Sequence, residues 1–163
     1  MSNEKIRVLF VCMGNICRSP TAQGVFEALL EREGLADRIE VDSAGTHAYH
    51  VGEPPDPRAQ EAARNRGVEL AHQRARRVAE SDFLEFHYVV AMDQSNLEDL
   101  RALCHPDYEA RLHLFMNFAP DYGETDVPDP YYGGRQGFER VLDMIEQAAA
   151  GLLADIRRRH GLD

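Results

Sequence analysis

Ile6-Arg7-Val8-Leu9-Phe10-Val11 is a nearly unbroken apolar run rich in β-branched residues. That pattern predicts a buried strand. A tight polar stretch, Cys12 to Ser19, follows it. Pro20 then stands where a first helical residue belongs, with Ser19 as the expected N-cap. Ala22, Val25, Phe26, Leu29 and Leu30 recur at helical spacing, and Gly34 supplies a stop. The chain therefore opens strand, loop, helix.

The same order recurs. Ile39 to Ala44 predicts a strand, His47 to Pro57 a loop, and Asp56-Pro57 the cap of a helix ending at Gly67. Phe86 to Ala91 predicts a third strand. Asp93 to Cys104 predicts a short helix with Leu97, Leu100 and Cys104 on one stripe, and Leu112 to Phe115 a weaker fourth strand. A loop from Ala119 to Gly134 follows. The last helix puts Phe138, Val141, Leu142, Ile145, Ala149, Leu152 and Ile156 on one face. Alternating strands and helices predict an α/β fold, a three-layer sandwich with a central four-stranded parallel sheet flanked by helices on both sides. At 163 residues the chain fits a single domain, 1–163. Ligands in such folds bind at the carboxyl ends of the strands. The loops after Val11, Ala44 and Ala91, and the long late loop, are therefore where chemistry is expected.

Composition narrows the classes. The 18 basic residues stand against 28 acidic ones, a net charge of −10, which argues against nucleic acid and anionic membrane as partners. No apolar stretch approaches the roughly 18 residues of a membrane span. The run Val8 to Val11 is too short for a signal-peptide core. Three cysteines do not make a disulfide scaffold. The expectation is a cytoplasmic protein.

The first loop reads Cys12-Met13-Gly14-Asn15-Ile16-Cys17-Arg18-Ser19-Pro20. Gly14 permits a tight turn there. Loop N–H groups at a helix N-terminus form an anion-binding nest, and Arg18 adds a planar guanidinium that grips two phosphate oxygens. Cys12 sits at the floor of that nest, where the dipole, the N–H groups and Arg18 all favour thiolate over thiol. A thiolate below a bound phosphate is aimed at phosphorus. The bland alternative makes Cys12 a small buried hydrophobe and Arg18 a solvated residue. A cation at a helix N-terminus opposes the dipole, however, unless an anion is expected. A Cys12–Cys17 redox pair is the other alternative, without thioredoxin spacing.

An aryl phosphate leaving group needs a proton. The late loop offers Asp121, Asp126 and Asp129. Asp129 lies between Pro128 and Pro130, which present it stiffly, and Tyr131-Tyr132 follow. Read alone, Val127-Pro128-Asp129-Pro130 is equally a turn. The Cys12 loop tips the balance toward a general acid.

These strings resemble the low-molecular-weight protein tyrosine phosphatases across essentially the whole chain. The matching segments are 8–20, Asp42-Ser43-Ala44-Gly45, Val51-Gly52 with Pro55-Asp56-Pro57-Arg58, Ala91 to Leu97, and Asp129-Pro130-Tyr131-Tyr132-Gly133, in family order and spacing. The resemblance implies Cys12 as nucleophile, Arg18 as phosphate clamp and Asp129 as acid, then base. It implies that Ser19 bonds the Cys12 thiolate, that Asn15 braces the loop with Ser43 as its partner, and that Met13, Gly14 and Ile16 help line the phosphate. Cys17 matches a second loop cysteine able to pair reversibly with Cys12. Tyr131 and Tyr132 match one aromatic wall of the pocket and Tyr49 the opposite lip. The implied substrates are phosphotyrosine proteins or small aryl phosphates, with phosphate or another oxyanion in the loop. No cofactor and no metal are implied. The resemblance also allows a tyrosine kinase to phosphorylate Tyr131 or Tyr132.

Two departures stand out. Gln23 occupies a position where many members have Glu. His72 lies near the family's histidine, but the run Gln73-Arg74-Ala75-Arg76 leaves the register open by one residue, and His72 is read as structural. His50 is placed at the pocket lip or in solvent. Among rivals, an arsenate reductase would need two further cysteines, and only Cys104 remains. A protein-arginine phosphatase would carry Thr at Ile16. A small-molecule acid phosphatase on the same scaffold stays open, and a non-catalytic phosphotyrosine-binding module lacks support beside Cys12, Arg18 and Asp129.

Overall fold

Val8, Leu9, Phe10 and Val11 are wholly buried at the centre of strand β1 (Ile6–Cys12). The computed structural model describes residues 5–130 and 134–162. Side chains on a strand alternate between faces. Val8, Phe10 and Cys12 therefore enter one apolar cluster, and Leu9 and Val11 enter another. After β1 come α1 (Arg18–Arg32), β2 (Ile39–Gly45), α2 (Pro57–Arg64), α3 (Glu80–Glu85), β3 (Tyr88–Ala91), α4 (Gln94–Leu103), β4 (Leu112–Leu114) and α5 (Gly134–His160). The four strands pair in parallel in the order β2-β1-β3-β4.

The two clusters are the two outer layers meeting the sheet. Val25 and Phe26 of α1, Ala59 and Ala63 of α2, and Val141, Leu142, Ile145 and Leu152 of α5 cover the Phe10 face. Phe83 of α3 with Leu97 and Leu100 of α4 covers the Leu9 face. This is the expected three-layer sandwich. No helix among the described residues is long and apolar enough to cross a membrane.

Several boundaries differ from the sequence reading. α1 begins at Arg18, so Ser19 is its second residue and not its N-cap; Cys17 holds that position with no side-chain bond. The Ser19 hydroxyl is drawn instead to Cys12 and Asn15. α3 escaped the periodicity because six residues are too few to show a period; the Asp82 carboxylate starts it by accepting the Ala79 N–H at 2.8 Å. β3 begins at Tyr88 rather than Phe86. Phe115 leaves the fourth strand for a short 3₁₀ turn, Phe115–Phe118.

That turn lies against α5 at a point only glycine allows. A Cβ on Gly151 would stand 1.8 Å from the Phe118 carbonyl oxygen. Backbone cannot yield as a flexible side chain does. Gly151→Ala is expected to lower the unfolding free energy by about 3 kcal/mol or more, read from urea unfolding.

His113 on β4 packs between the rings of Tyr88 and Phe118. Burial, then Arg159, holds its pKa below the ordinary histidine value, against a smaller opposing pull from Asp155. The folded protein therefore binds this proton more weakly than the unfolded chain does. The contribution is complete above the unfolded value of about 6.5 and is lost as pH falls below it. His113→Phe is expected to flatten the fall of the urea midpoint between about pH 7.5 and 5.5.

Candidate active site

At the carboxyl end of β1 the chain turns through Met13 to Cys17 before entering α1. The carbonyls of this turn are held from outside. Cys12 C=O accepts from Thr46 N–H at 2.9 Å, Met13 C=O from His47 at 3.0 Å, Ile16 C=O from Asp56 at 2.8 Å and Cys17 C=O from Thr21 at 3.3 Å. A trans peptide points its N–H opposite to its C=O. The N–H groups of Met13, Gly14, Cys17 and Arg18 therefore point away from those partners, an arrangement that can serve as an anion nest.

Asn15 makes the turn possible. It is the one non-glycine residue with positive φ (59°) among the described residues, a conformation Asn tolerates better than most. Its N–H reaches Cys12 Sγ at 3.3 Å, and its Nδ2 donates to Ser19 Oγ at 2.8 Å and Ser43 Oγ at 2.9 Å. Ser19 Oγ lies 2.9 Å from Cys12 Sγ. Cys12, Asn15, Ser19 and Ser43 are all buried. The bracing residues expected from the sequence therefore form one network around the sulfur.

Arg18 is buried at 5% exposure. Its Nη1 donates to Asp93 Oδ2 at 2.6 Å and to the Val127 carbonyl at 3.0 Å. Burial works against the charge, but Cys12, then Asp93 and Asp129, outweigh it and hold the guanidinium pKa above its ordinary value. Asp93 also caps α4, its Oδ1 accepting the Asn96 N–H at 2.7 Å. One carboxylate thus fixes a helix start and the Arg18 guanidinium. The sequence reading missed Asp93. The signal was its place immediately after a strand, in an Asp-x-x-Asn capping pattern.

The late loop docks on the end of β3, with Val127 N–H on the Met92 carbonyl at 2.8 Å. Asp126 is used in that docking, accepting the Gln94 N–H at 3.0 Å. Asp129 instead lines a cleft of about 230 Å³ together with Cys12, Met13, Gly14, Ile16, Cys17, Arg18, Tyr49 and His50. Tyr49 is 69% exposed at its lip and stacks on His47. His50 forms part of the wall, its Nδ1 2.8 Å from Glu53 Oε2. Tyr131 and Tyr132 lie outside the described residues. Burial, then Asp56 and Cys12, pushes the Cys17 thiol up to about 12, so it stays protonated beside Cys12.

Residues 7–161 match the family model described as low molecular weight phosphotyrosine protein phosphatase. The chain belongs to that family. It is 46% identical to the low molecular weight protein-tyrosine-phosphatase of Streptomyces coelicolor over 94% of each chain. A protein tyrosine phosphatase from Entamoeba histolytica, crystallised with Hepes in the active site, superposes with a TM-score of 0.91 at 38% identity, covering 96% of this chain and 99% of that one. A Drosophila arginine phosphatase superposes with a TM-score of 0.86 at 31% identity, over 93% and 98% of the two chains.

A larger depression of about 510 Å³ lies between α1 and β2. Glu27, Glu31, Glu40 and Glu69 line it, a negative field unsuited to an anion such as phosphate. His72 opens onto that depression and is exposed. The inward-facing residue is Gln73, one position on. Its Nε2 donates to the Pro20 carbonyl at 3.0 Å, and its Oε1 lies 3.5 Å from Ser43 Oγ. Gln23 is buried, with Nε2 3.5 Å from both Glu27 Oε2 and the Val41 carbonyl.

Gly45, at the end of β2, supports the loop from below. A Cβ there would lie 2.8 Å from the Met13 carbonyl oxygen and 3.2 Å from the Gly14 carbonyl carbon. Gly45→Ala is expected to displace the nest and weaken inorganic phosphate binding at least tenfold, measured by competitive inhibition. Unchanged inhibition would show that the loop tolerates the displacement.

Proposed function

We propose that this chain hydrolyses phosphotyrosine and related aryl phosphate monoesters through a phosphocysteine intermediate. The family makes it a phosphoric monoester hydrolase. The observation that carries the finer reading is the convergence on one cleft of Cys12 and Arg18, from the two ends of the β1–α1 loop, and Asp129, from a segment more than a hundred residues later.

Cys12 Sγ attacks phosphorus while the bond to the tyrosine oxygen breaks and Asp129 protonates that oxygen. The inward N–H groups and the Nε and Nη2 of Arg18 hold the equatorial oxygens, with Nη1 tied to Asp93 and Val127. Water, deprotonated by Asp129, then attacks the phosphocysteine. Phosphate leaves, and the thiolate is regenerated. Ser19 donates to the sulfur in both states in which it carries negative charge. Cys17, held as a thiol next to Cys12, is the partner for a protective disulfide under oxidation. Tyr49 offers its ring to the aryl group at the lip.

The likeness to an arginine phosphatase supports a second reading, cleavage of phosphoarginine. Ile16 in the cleft wall disfavours it, because Ile16 offers no side-chain hydrogen bond to a guanidinium nitrogen.

Phosphate release from phosphotyrosine and phosphoarginine peptides in EDTA separates the two. The expected result is a strong preference for phosphotyrosine, abolished in Cys12→Ser. In Asp129→Asn, aryl ester cleavage is expected to fall by about a hundredfold or more, with phosphate inhibition nearly unchanged. Full activity in Cys12→Ser would overturn the nucleophile, equal losses of turnover and phosphate binding would overturn the acid, and a phosphoarginine preference would overturn the substrate.

A further inference from the structure

Arg76 lies in the segment between α2 and α3, away from the cleft lining. Its guanidinium is held by two carboxylates. Nε and Nη2 reach Asp42 Oδ2 at 3.2 and 3.1 Å, and Nη1 and Nη2 reach Asp82 Oδ2 and Oδ1 at 3.0 and 3.2 Å. Asp82 is buried at 4% exposure. Two hydrogen bonds from the backbone of the same residue meet the active-site loop and its support. The Arg76 N–H donates to Asn15 Oδ1 at 3.0 Å, and the Arg76 carbonyl accepts the Gly45 N–H at 2.8 Å.

The bond to Asn15 has a direction. A primary amide has one acceptor end and one donor end. With its oxygen committed to the Arg76 N–H, Asn15 turns its NH₂ toward Ser19 and Ser43. Ser19 Oγ, accepting from Asn15, has two acceptors for its own hydrogen, Cys12 Sγ at 2.9 Å and the Ala44 carbonyl at 3.5 Å, and the shorter contact favours the sulfur. The donors run Arg76 N–H, Asn15 NH₂, Ser19 OH, and end on sulfur. Aligned hydrogen bonds of this kind polarise one another. A flipped Asn15 amide would set its NH₂ against the Arg76 N–H, donor to donor, and its oxygen against Ser19.

We propose that Arg76 is a positioning residue for the phosphatase reaction: anchored by Asp42 and Asp82, it fixes the Asn15 amide so that Ser19 donates to the Cys12 thiolate. The inference rests on the cysteine mechanism proposed above and adds to it a control point outside the cleft. It concerns the sulfur's reactivity and not the grip on phosphate, which belongs to Arg18 and the loop N–H groups.

The test compares Arg76→Gln and Arg76→Lys with the wild-type protein, using p-nitrophenyl phosphate turnover and the rate of Cys12 alkylation by iodoacetamide at fixed pH. Arg76→Gln is expected to lower kcat and the alkylation rate about tenfold each, with KM moving less than about threefold. Arg76→Lys, which still pairs with the carboxylates, is expected to recover part of both losses. If Arg76→Gln does not fold, Asp42→Asn removes the more exposed anchor and is expected to shift both readouts the same way, to a smaller extent. A fall in thermal stability with kcat and alkylation unchanged would overturn the proposal, as would a rise in KM alone. A wild-type enzyme without cysteine-dependent turnover would overturn the underlying mechanism instead. The alkylation rates would still show whether Arg76 governs the sulfur.

Discussion

The loop between β1 and α1 depends on turning its carbonyl oxygens outward. A peptide group cannot present a donor on one side without presenting an acceptor on the other. Each inward N–H therefore requires a partner for an outward C=O. Thr46, His47, Asp56 and Thr21 supply those partners. They come from the end of β2, from the entry to α2 and from α1, so the anion nest exists only when three parts of the fold are assembled around it. Asn15 takes the positive φ that closes the turn, and Gly45 leaves the room the loop needs beneath it.

The second constraint is a buried cation. Arg18 sits at the first residue of α1, where the helix field disfavours it, and is nearly inaccessible to solvent. Asp93 from the far side of the sheet's switch point neutralises it at 2.6 Å. A charge placed against both burial and dipole depends on that carboxylate, since a buried cation without its partner is strongly destabilising. The acidic depression beside α1 shows the contrast: larger, yet lined by four carboxylates with no arginine among them.

The fold was largely legible because β1 is buried on both faces and α1 and α5 carry long apolar stripes. α3 and the 3₁₀ turns were not, since elements of three to six residues show no period. At the site, the meeting of Cys12, Arg18 and Asp129 in one cleft was legible from local strings: a strand-end cysteine, a cation at a helix start, an aspartate between two prolines. Asp93, Gln73 and Arg76 were not. Each acts through a partner distant in sequence, Arg18, Pro20 and Asn15 respectively, and no spacing rule connects them. Ser19 was misread as a cap because local hydrogen bonding is the usual use of serine at a helix start. The sulfur below it competed successfully for the hydroxyl.

The bond from Arg18 Nη1 to the Val127 carbonyl joins the guanidinium of the first loop to the segment that carries Asp129, two residues on. The two therefore share a latch. Removing the Arg18 side chain takes a guanidinium out of the cleft and also unfastens the segment that carries Asp129. A loss measured at Arg18 therefore includes any disturbance of the Asp129 segment, so the losses at Arg18 and Asp129 are expected to sum to more than the loss in the double variant.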